Sequence, residues 1–415
     1  MLDGPLFLLC GIILPVFLLF TGIRYGIKLK FFYILHPVKT AKAMLSGKNG
    51  FSALSLALAG TLGIGNIVGV SAAISVGGAG ALFWMCASCI VAMSVKYGET
   101  YFALRYKKIH NGVAFGGAPY YIREAFPNKK GVILAFVFAF LCVGNSLITG
   151  NFVQINAVKD ILPIKPIILG GVFAILLLMV VYKGVNRISS LTSLVIPLLT
   201  LFHVVLSLYI IFANYQHVPA VFSKIIKEAF NFKATITGVG SFGILTAIRY
   251  GVSRGLLSNE AGCGTSPIAH ASSDNDPHIQ GCLGIFEVFF DTVVLCTITA
   301  LVILLYGERD LPPVEWVAAA YGHYLPRVGD FFIKASCFIY VFSTLISQFY
   351  YGDKSLSYVT ESKAVHTVFA LLSALVCILS PLAPSSLMWT VSDINIALLT
   401  VFNLITLNFL IKRLK

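Results

Sequence analysis

"AGTLGIGNIVGV", residues 59–70, places Gly60, Gly63, Gly65 and Gly69 beside Thr61 and Asn66, inside a run from Leu54 to Met85 that is otherwise apolar enough to cross a bilayer. Each glycine weakens a helix by roughly 0.5–1 kcal/mol relative to alanine, so the cluster marks a point where the chain leaves the helix. Backbone groups freed at membrane depth are tolerated only where they line a cavity or lie buried in protein. The break exposes two helix ends. After it, the N–H groups around Gly65, Asn66 and Ile67 carry the positive end of a helix dipole and suit a carboxylate. Before it, the carbonyl oxygens from Ala59 to Leu62 suit a monovalent cation. With Gly63 at the turn, the stretch reads as a site for a zwitterion and a small cation within a broken transmembrane helix. Close packing of small residues against another helix is the alternative. A phosphate loop is excluded, because no Lys-Ser/Thr follows and no strand precedes.

The rest of the chain agrees with a membrane setting. Of 415 residues, 58% are hydrophobic and 11% charged, with a mean hydropathy of +0.88; soluble domains carry about 25% charged residues. A hydrocarbon core needs roughly 20 apolar residues per helix. Eleven such runs are present, near 5–23, 51–76, 80–104, 131–157, 164–182, 189–213, 235–257, 280–305, 329–350, 364–381 and 385–411. The first lacks a basic leader and a small-residue cleavage site, so it reads as a retained span. With the N-terminus outside, most Lys and Arg residues fall on the inner side, in connections such as 24–48 and 96–130 and at 412–415. This is the positive-inside pattern. It predicts a multi-pass protein of the cell inner membrane with a cytoplasmic C-terminus, and it accounts for the net charge of +13 without a nucleic-acid partner. The nine cysteines read as packing residues; Cys86 and Cys89 lie one turn apart with no His nearby, which argues against zinc. No cofactor or obligate protein partner is evident beyond the lipid bilayer.

A second glycine cluster, "TGVGSFG" at 237–243, interrupts the seventh run, five spans after the first. Five is odd, so units starting at the two breaks would be inverted relative to each other. Transporters built from inverted repeats bind substrate and coupling ion at such paired breaks. The expected architecture is all-α: a single integral domain, 1–415, with an extra helix and connection (1–50), a first repeat (51–213) and a second (214–415). Gly240, Ser241, Phe242 and Gly243 then join the substrate site. Gln154 and Asn151 in "GNFVQINAV" either line the pocket or bridge neighbouring helices. Asp291 is the sharpest intramembrane ionisable group, as a proton carrier, a cavity residue or a partner of Arg. His203 reads as a packing residue and Glu99 as a salt-bridge partner. "RGLLSNEAGCGTSP", 254–267, is expected where span seven meets the cytoplasm. There Glu260 would pair with Arg249 or Arg254 as an inner gate hinged at Gly262 and Gly264, or the segment is a capping loop. No carboxylate dyad, metal-ligand set or activated nucleophile points to an enzyme.

Several stretches carry a resemblance: "GTLGIGNIVGV", "GGAGALFWM" (77–85), "KYGETYFALRY" (96–106), "GGAPYYI" (116–122), "IRYGVSRGLLSNEAGCGTSPIAHA" (248–271), "FFDTVVLCTITALVI" (289–303) and "FVFSTLISQFYYGDKSL" (341–356). The chain resembles the alanine or glycine:cation symporters, also called sodium:alanine symporters. That resemblance implies a LeuT-like fold and sodium- or proton-driven symport of small neutral amino acids such as alanine or glycine. By analogy with LeuT-like folds, Na+ would sit between the first broken helix and span nine, where Ser343 and Thr344 join the carbonyls of Ala59 and Leu62. Gln348, one turn beyond Thr344, would face the substrate; the family usually has Trp there. Cys86 replaces another usual Trp, and Ala72 stands where Thr is common. A proton-coupled symporter of altered range, or a non-transporting sensor or channel-like homologue, remains the alternative.

Overall fold

The computed structural model describes residues 8–47, 50–110, 113–183, 185–231, 243–307 and 311–414, and nearly all are helical. In chain order the principal helices are α1 (Leu9–Lys28), α2 (Gly50–Thr61), α3 (Val68–Gly77), α4 (Gly80–Arg105), α5 (Asn128–Ala157), α6 (Pro166–Lys183), α7 (Val185–Ala213), α8 (Ile244–Asn259), α9 (Pro267–His270), α10 (Pro277–Tyr306), α11 (Gly329–Val359), α12 (Lys363–Leu379) and α13 (Ser385–Arg413). Among the described residues, α1, α4, α5, α7, α10, α11, α12 and α13 are long and apolar enough to cross a membrane. The chain is a polytopic helical membrane protein. One small antiparallel ribbon, Lys108–His110 against Val113–Phe115, follows α4.

Helix α4 is the axis of the site. It packs against α1, α8 and α10, and its residues from Ala92 to Leu104 are continuously buried. A helix apolar on most sides belongs in the interior, and α4 brings Lys96 and Glu99 in with it.

Basic residues of the connections 96–130 and 412–415 meet at one end of the bundle. Arg105 and Arg413 share that end, with Arg105 Nη1 donating to the Arg413 carbonyl at 2.8 Å. Lys107 Nζ donates to the Ser273 carbonyl there.

The expected position of residues 249–267 needs correction. Helix α8 runs antiparallel to α3: Gly77 faces Ala247 and Tyr250, while Gly65 faces Ser258. Arg249 and Arg254 therefore lie on the far side of Ser258 from the basic end. The segment after α8 is no surface loop, for every residue from 254 to 271 is buried. Its polar Ser258, Asn259 and Glu260 lowered the local hydropathy and made the span seem to end there, but they are hydrogen-bonded in the interior.

Candidate functional site

Helix α2 stops where the glycines predict. The Leu62 amide still bonds the Leu58 carbonyl at 2.6 Å, but the Gly63 amide turns to Asn66 Oδ1 at 3.2 Å. The Ile64 amide goes to Gln154 Oε1 at 3.4 Å. These side chains satisfy donors that the missing helical turn leaves free. Glycine is required by close approach: a Cβ at residue 65 would lie 2.8 Å from the Ser258 Cα, and one at residue 63 would lie 2.7 Å from Thr344 Oγ1. Ile67 is fully buried beside them. On the other side of the break, Thr344 Oγ1 reaches the Leu62 carbonyl at 3.4 Å, and Ala59 is buried within the last turn of α2. Ser343 instead bonds back to the Tyr340 carbonyl at 2.9 Å, a common habit of hydroxyls in membrane helices.

A second interruption separates α8 from α9, at residues 260–266. Gly262 and Gly264 have φ of 90° and 77°, and Glu260 has φ of 49°; that region is easy for glycine and costly for side chains. The Gly262 and Gly264 amides converge on the two oxygens of Glu99, at 3.0 and 2.8 Å. Asn403 Nδ2 donates to the same carboxylate at 2.5 Å. Glu99 is thus a carboxyl held by backbone N–H groups, in place of the salt bridge expected for it. Glu260 accepts from Thr265 Oγ1 and from Gln348 Nε2, and Gln348 Oε1 accepts from Asn145 Nδ2 at 3.1 Å.

The described end of the glycine cluster at 237–243 lies away from this interruption. Gly240, Ser241 and Phe242 fall outside the described residues, and Gly243 caps the start of α8. A helix rises about 1.5 Å per residue, so the 16 residues of α8 hold Gly243 some 24 Å from the Ser258 end, too far to join Gly63 and Gly65.

The two interruptions meet at Asp291. Asn66 Nδ2 donates to Asp291 Oδ1 at 2.8 Å and to Ser258 Oγ at 3.1 Å. Asp291 Oδ2 accepts from Ser258 Oγ at 2.8 Å and Thr292 Oγ1 at 2.9 Å. Asp291 lies in a π-helical stretch, Phe289–Cys296, and a second one, Ser146–Val153, faces the first break through Thr149 and its partner Gln154. Such bulges recur at functional sites.

The pattern of the sodium:alanine symporter family matches residues 6–415. The chain belongs to the sodium:alanine symporter family. Sodium/alanine symporter AgcS of Methanococcus maripaludis is 34% identical over 92% of this chain and 85% of its own length. Amino-acid carrier protein AlsT of Bacillus subtilis is 29% identical over 94% and 84%. "Probable sodium/glutamine symporter GlnT" of the same organism is 30% identical over 98% and 87%. A member of this family is a cation-coupled amino-acid symporter and not an enzyme.

The symporter's charges are arranged differently from the expected gate. Arg254 forms a two-point ion pair with Asp393, at 2.8 and 3.3 Å, and its guanidinium lies 4.2 Å from the Trp389 ring centre. Glu260 is engaged on the other side of Ser258, so the expected pair between Glu260 and Arg254 is not formed. The Arg249 guanidinium lies against the Tyr250 ring. The Arg254–Asp393 pair, with Tyr250, Ser75 and Ala72, lines a cavity of about 250 Å³. A cavity of about 380 Å³ beside Leu62 is lined mostly by apolar side chains such as Leu58, Pro197 and Phe290, with Ser55 and Thr200 its polar lining and no charged group. His203 is a packing residue whose Nε2 is bonded to Thr299 Oγ1 at 2.9 Å while its buried Nδ1 makes no hydrogen bond; Cys86 meets Thr297 Oγ1. Lys96 and Glu287, both fully buried, went unread in the sequence, although they stand as charges inside spans, which is the signal that marked Asp291.

Proposed function

We propose that this symporter takes up a small neutral amino acid such as alanine or glycine, together with Na+, across the cytoplasmic membrane, with its N-terminus outside and its C-terminus in the cytoplasm. The observation that carries the ion site is the approach of Thr344 Oγ1 to the Leu62 carbonyl at the open C-terminal end of α2. Hydroxyl and carbonyl oxygens are what a hard cation selects, and the Ala59 carbonyl and Ser343 hydroxyl complete the set once Ser343 turns from its own helix. Substrate would lie between the two interruptions, against Gly63, Gly65, Asn66, Ile67, Gln154 and Gln348. The antiparallel packing of α3 on α8 at the paired breaks supports two inverted repeats, 51–213 and 214–415. The Arg254–Asp393 pair closes the outer end, and the 260–266 segment with Glu260 closes the inner end.

Proton coupling is a second reading, favoured by Asp291, a fully buried carboxylate whose three side-chain donors are all neutral. Uptake of radiolabelled alanine into proteoliposomes separates the two. Accumulation driven by an inward sodium gradient and lost in Thr344→Val supports sodium at this site. Accumulation driven by a proton gradient without sodium, and lost in Asp291→Asn, replaces it with the proton.

A further inference from the structure

One buried ion cluster belongs neither to the cation site nor to the Arg254 pair. Lys96 Nζ donates to Ser266 Oγ at 2.6 Å and lies 3.5 Å from Glu287 Oε1. Glu287 Oε2 is 2.9 Å from His270 Nε2. His270 Nδ1 is 2.7 Å from Gln280 Nε2, and Gln280 Oε1 accepts from Asn275 Nδ2 at 2.9 Å. Lys96, Ser266, His270, Gln280 and Glu287 are fully buried, while Asn275 is partly exposed. The cluster therefore runs unbroken from the centre of α4 to the 272–277 turn at the basic end of the bundle.

The ring lies between two partners that suit either of its charge states. As a neutral imidazole with its proton on Nε2 it donates to Glu287 and accepts the Gln280 amide N–H at Nδ1. A second proton on Nδ1 needs an acceptor. Gln280 provides one by turning its amide over, and Asn275 must then turn as well to accept from Gln280 Nε2. Two amide rotations thus link the charge of a fully buried ring to a side chain at the surface.

Charged groups crowd the ring. Lys96 faces three carboxylates, Glu287, Glu99 and Glu260, and uncompensated buried charge is costly. Glu99 is spent on the Gly262 and Gly264 amides. Glu287 Oε1 accepts no hydrogen bond although it is wholly buried. From α11 Tyr351 faces Glu260 and Glu287; Cys263 faces Glu260 from the interruption; Tyr97 and His278 are paired with each other at 2.6 Å; α2 has no ionisable side chain.

His270 ends α9, the short helix wedged among α2, α4 and α11 and reached through the positive-φ glycines 262 and 264. We propose that His270 is a proton-binding site that latches α9: protonated, it forms an ion pair with Glu287 and holds the inner end shut; neutral, it lets α9 swing on Gly262 and Gly264. This goes beyond symport itself, since the proton sets the rate of opening and is not the driving ion.

The test is transport by proteoliposomes with the pH on the Asn275 side moved from about 6 to about 8, the range in which histidine changes charge. Wild-type initial rates should rise by about fivefold or more, the low end of coupling between linked sites. His270→Gln, which still donates to Glu287 but takes no proton, should give a flat profile. Gln280→Met, which removes the acceptor for the second proton, should move the inhibition to lower pH. A His270→Gln profile that tracks the wild type, or an unmoved Gln280→Met midpoint, overturns the latch; if His270→Gln fails to fold, the Gln280→Met result decides.

Alkylation of native Cys263 by a small thiol reagent provides a readout that needs no substrate, with Cys263→Ala as control. The ratio of wild-type to His270→Gln labelling rates should rise with pH, which cancels the reagent's own pH dependence. A constant ratio counts against the latch even if sodium-driven uptake is intact. A rising ratio without any alanine uptake leaves the latch standing and sinks the substrate assignment alone.

Discussion

The two interrupted helices solve the same problem in opposite ways. At the first break, side chains of neutral residues, Asn66 and Gln154, take the loose amides of Gly63 and Ile64, which leaves the carbonyl end of α2 facing the Thr344 hydroxyl. At the second, the chain fills its own anion cradle: the Gly262 and Gly264 amides hold Glu99, and Glu260 is tied to Thr265 and Gln348. Breaking a helix in a membrane creates binding capacity. The first break leaves that capacity open at the carbonyl end of α2, and the second spends it on the chain's own carboxylates.

The contrast is broken most severely at Glu99. Glu99→Ala strips a buried partner from two backbone amides and Asn403, and it should lower stability by about 3–5 kcal/mol, the cost of halving a buried charged contact. Thermal unfolding in detergent reads this directly. An unchanged melting temperature would mean the cradle is dispensable. Gly65→Ala forces a methyl onto the Ser258 backbone and should cost about 1–3 kcal/mol as an overpacked contact, visible in the same melt and in a lower maximal uptake rate.

Thr344→Val sharpens the comparison from the ligand side. It removes one oxygen from the carbonyl end of α2 and should raise the sodium concentration for half-maximal uptake about tenfold, equivalent to about 1.4 kcal/mol, with little change in the melt. An altered melt with unaltered sodium dependence would place Thr344 among structural residues. The smallest effect is expected at Gln348. Gln348→Trp loses the bonds to Glu260 and Asn145 and crowds Gly150, whose added Cβ would already meet Gln348 Cβ. It should narrow the accepted amino acids toward glycine and alanine in a competition panel; an unchanged ranking would remove Gln348 from the pocket.

The first break was legible in the sequence because Gly63, Gly65 and Asn66 interrupt an unbroken apolar run, where no reading but a helix interruption or tight packing fits. The interruption at 260–266 was read as the edge of a span because its own polar residues disguise it. Ser258, Asn259 and Glu260 look like the edge of a membrane, yet Asn259 Nδ2 bonds Thr292 Oγ1 at 2.9 Å in the interior. Hydropathy sees polar residues and cannot see their distant partners, which come from the first break, α10 and α11. The glycine pair 262 and 264, followed by Pro267, was the better signal, since only a chain leaving a helix needs positive φ twice in three residues. The same blindness to distant partners hid the Lys96–Glu287 pair and the link from Arg254 to Asp393, across 139 positions of sequence.

The placing of Trp389 beneath the Arg254 guanidinium has an optical consequence. The chain holds three tryptophans, and the other two, Trp84 and Trp316, donate to the backbone carbonyls of Ala229 and Gly307. A protein in which those two are phenylalanine would emit from Trp389 alone. Its spectrum then reports, without any attached dye, whether the cation lies over the indole or has moved away, so each movement at the Arg254–Asp393 pair can be followed as fluorescence in time.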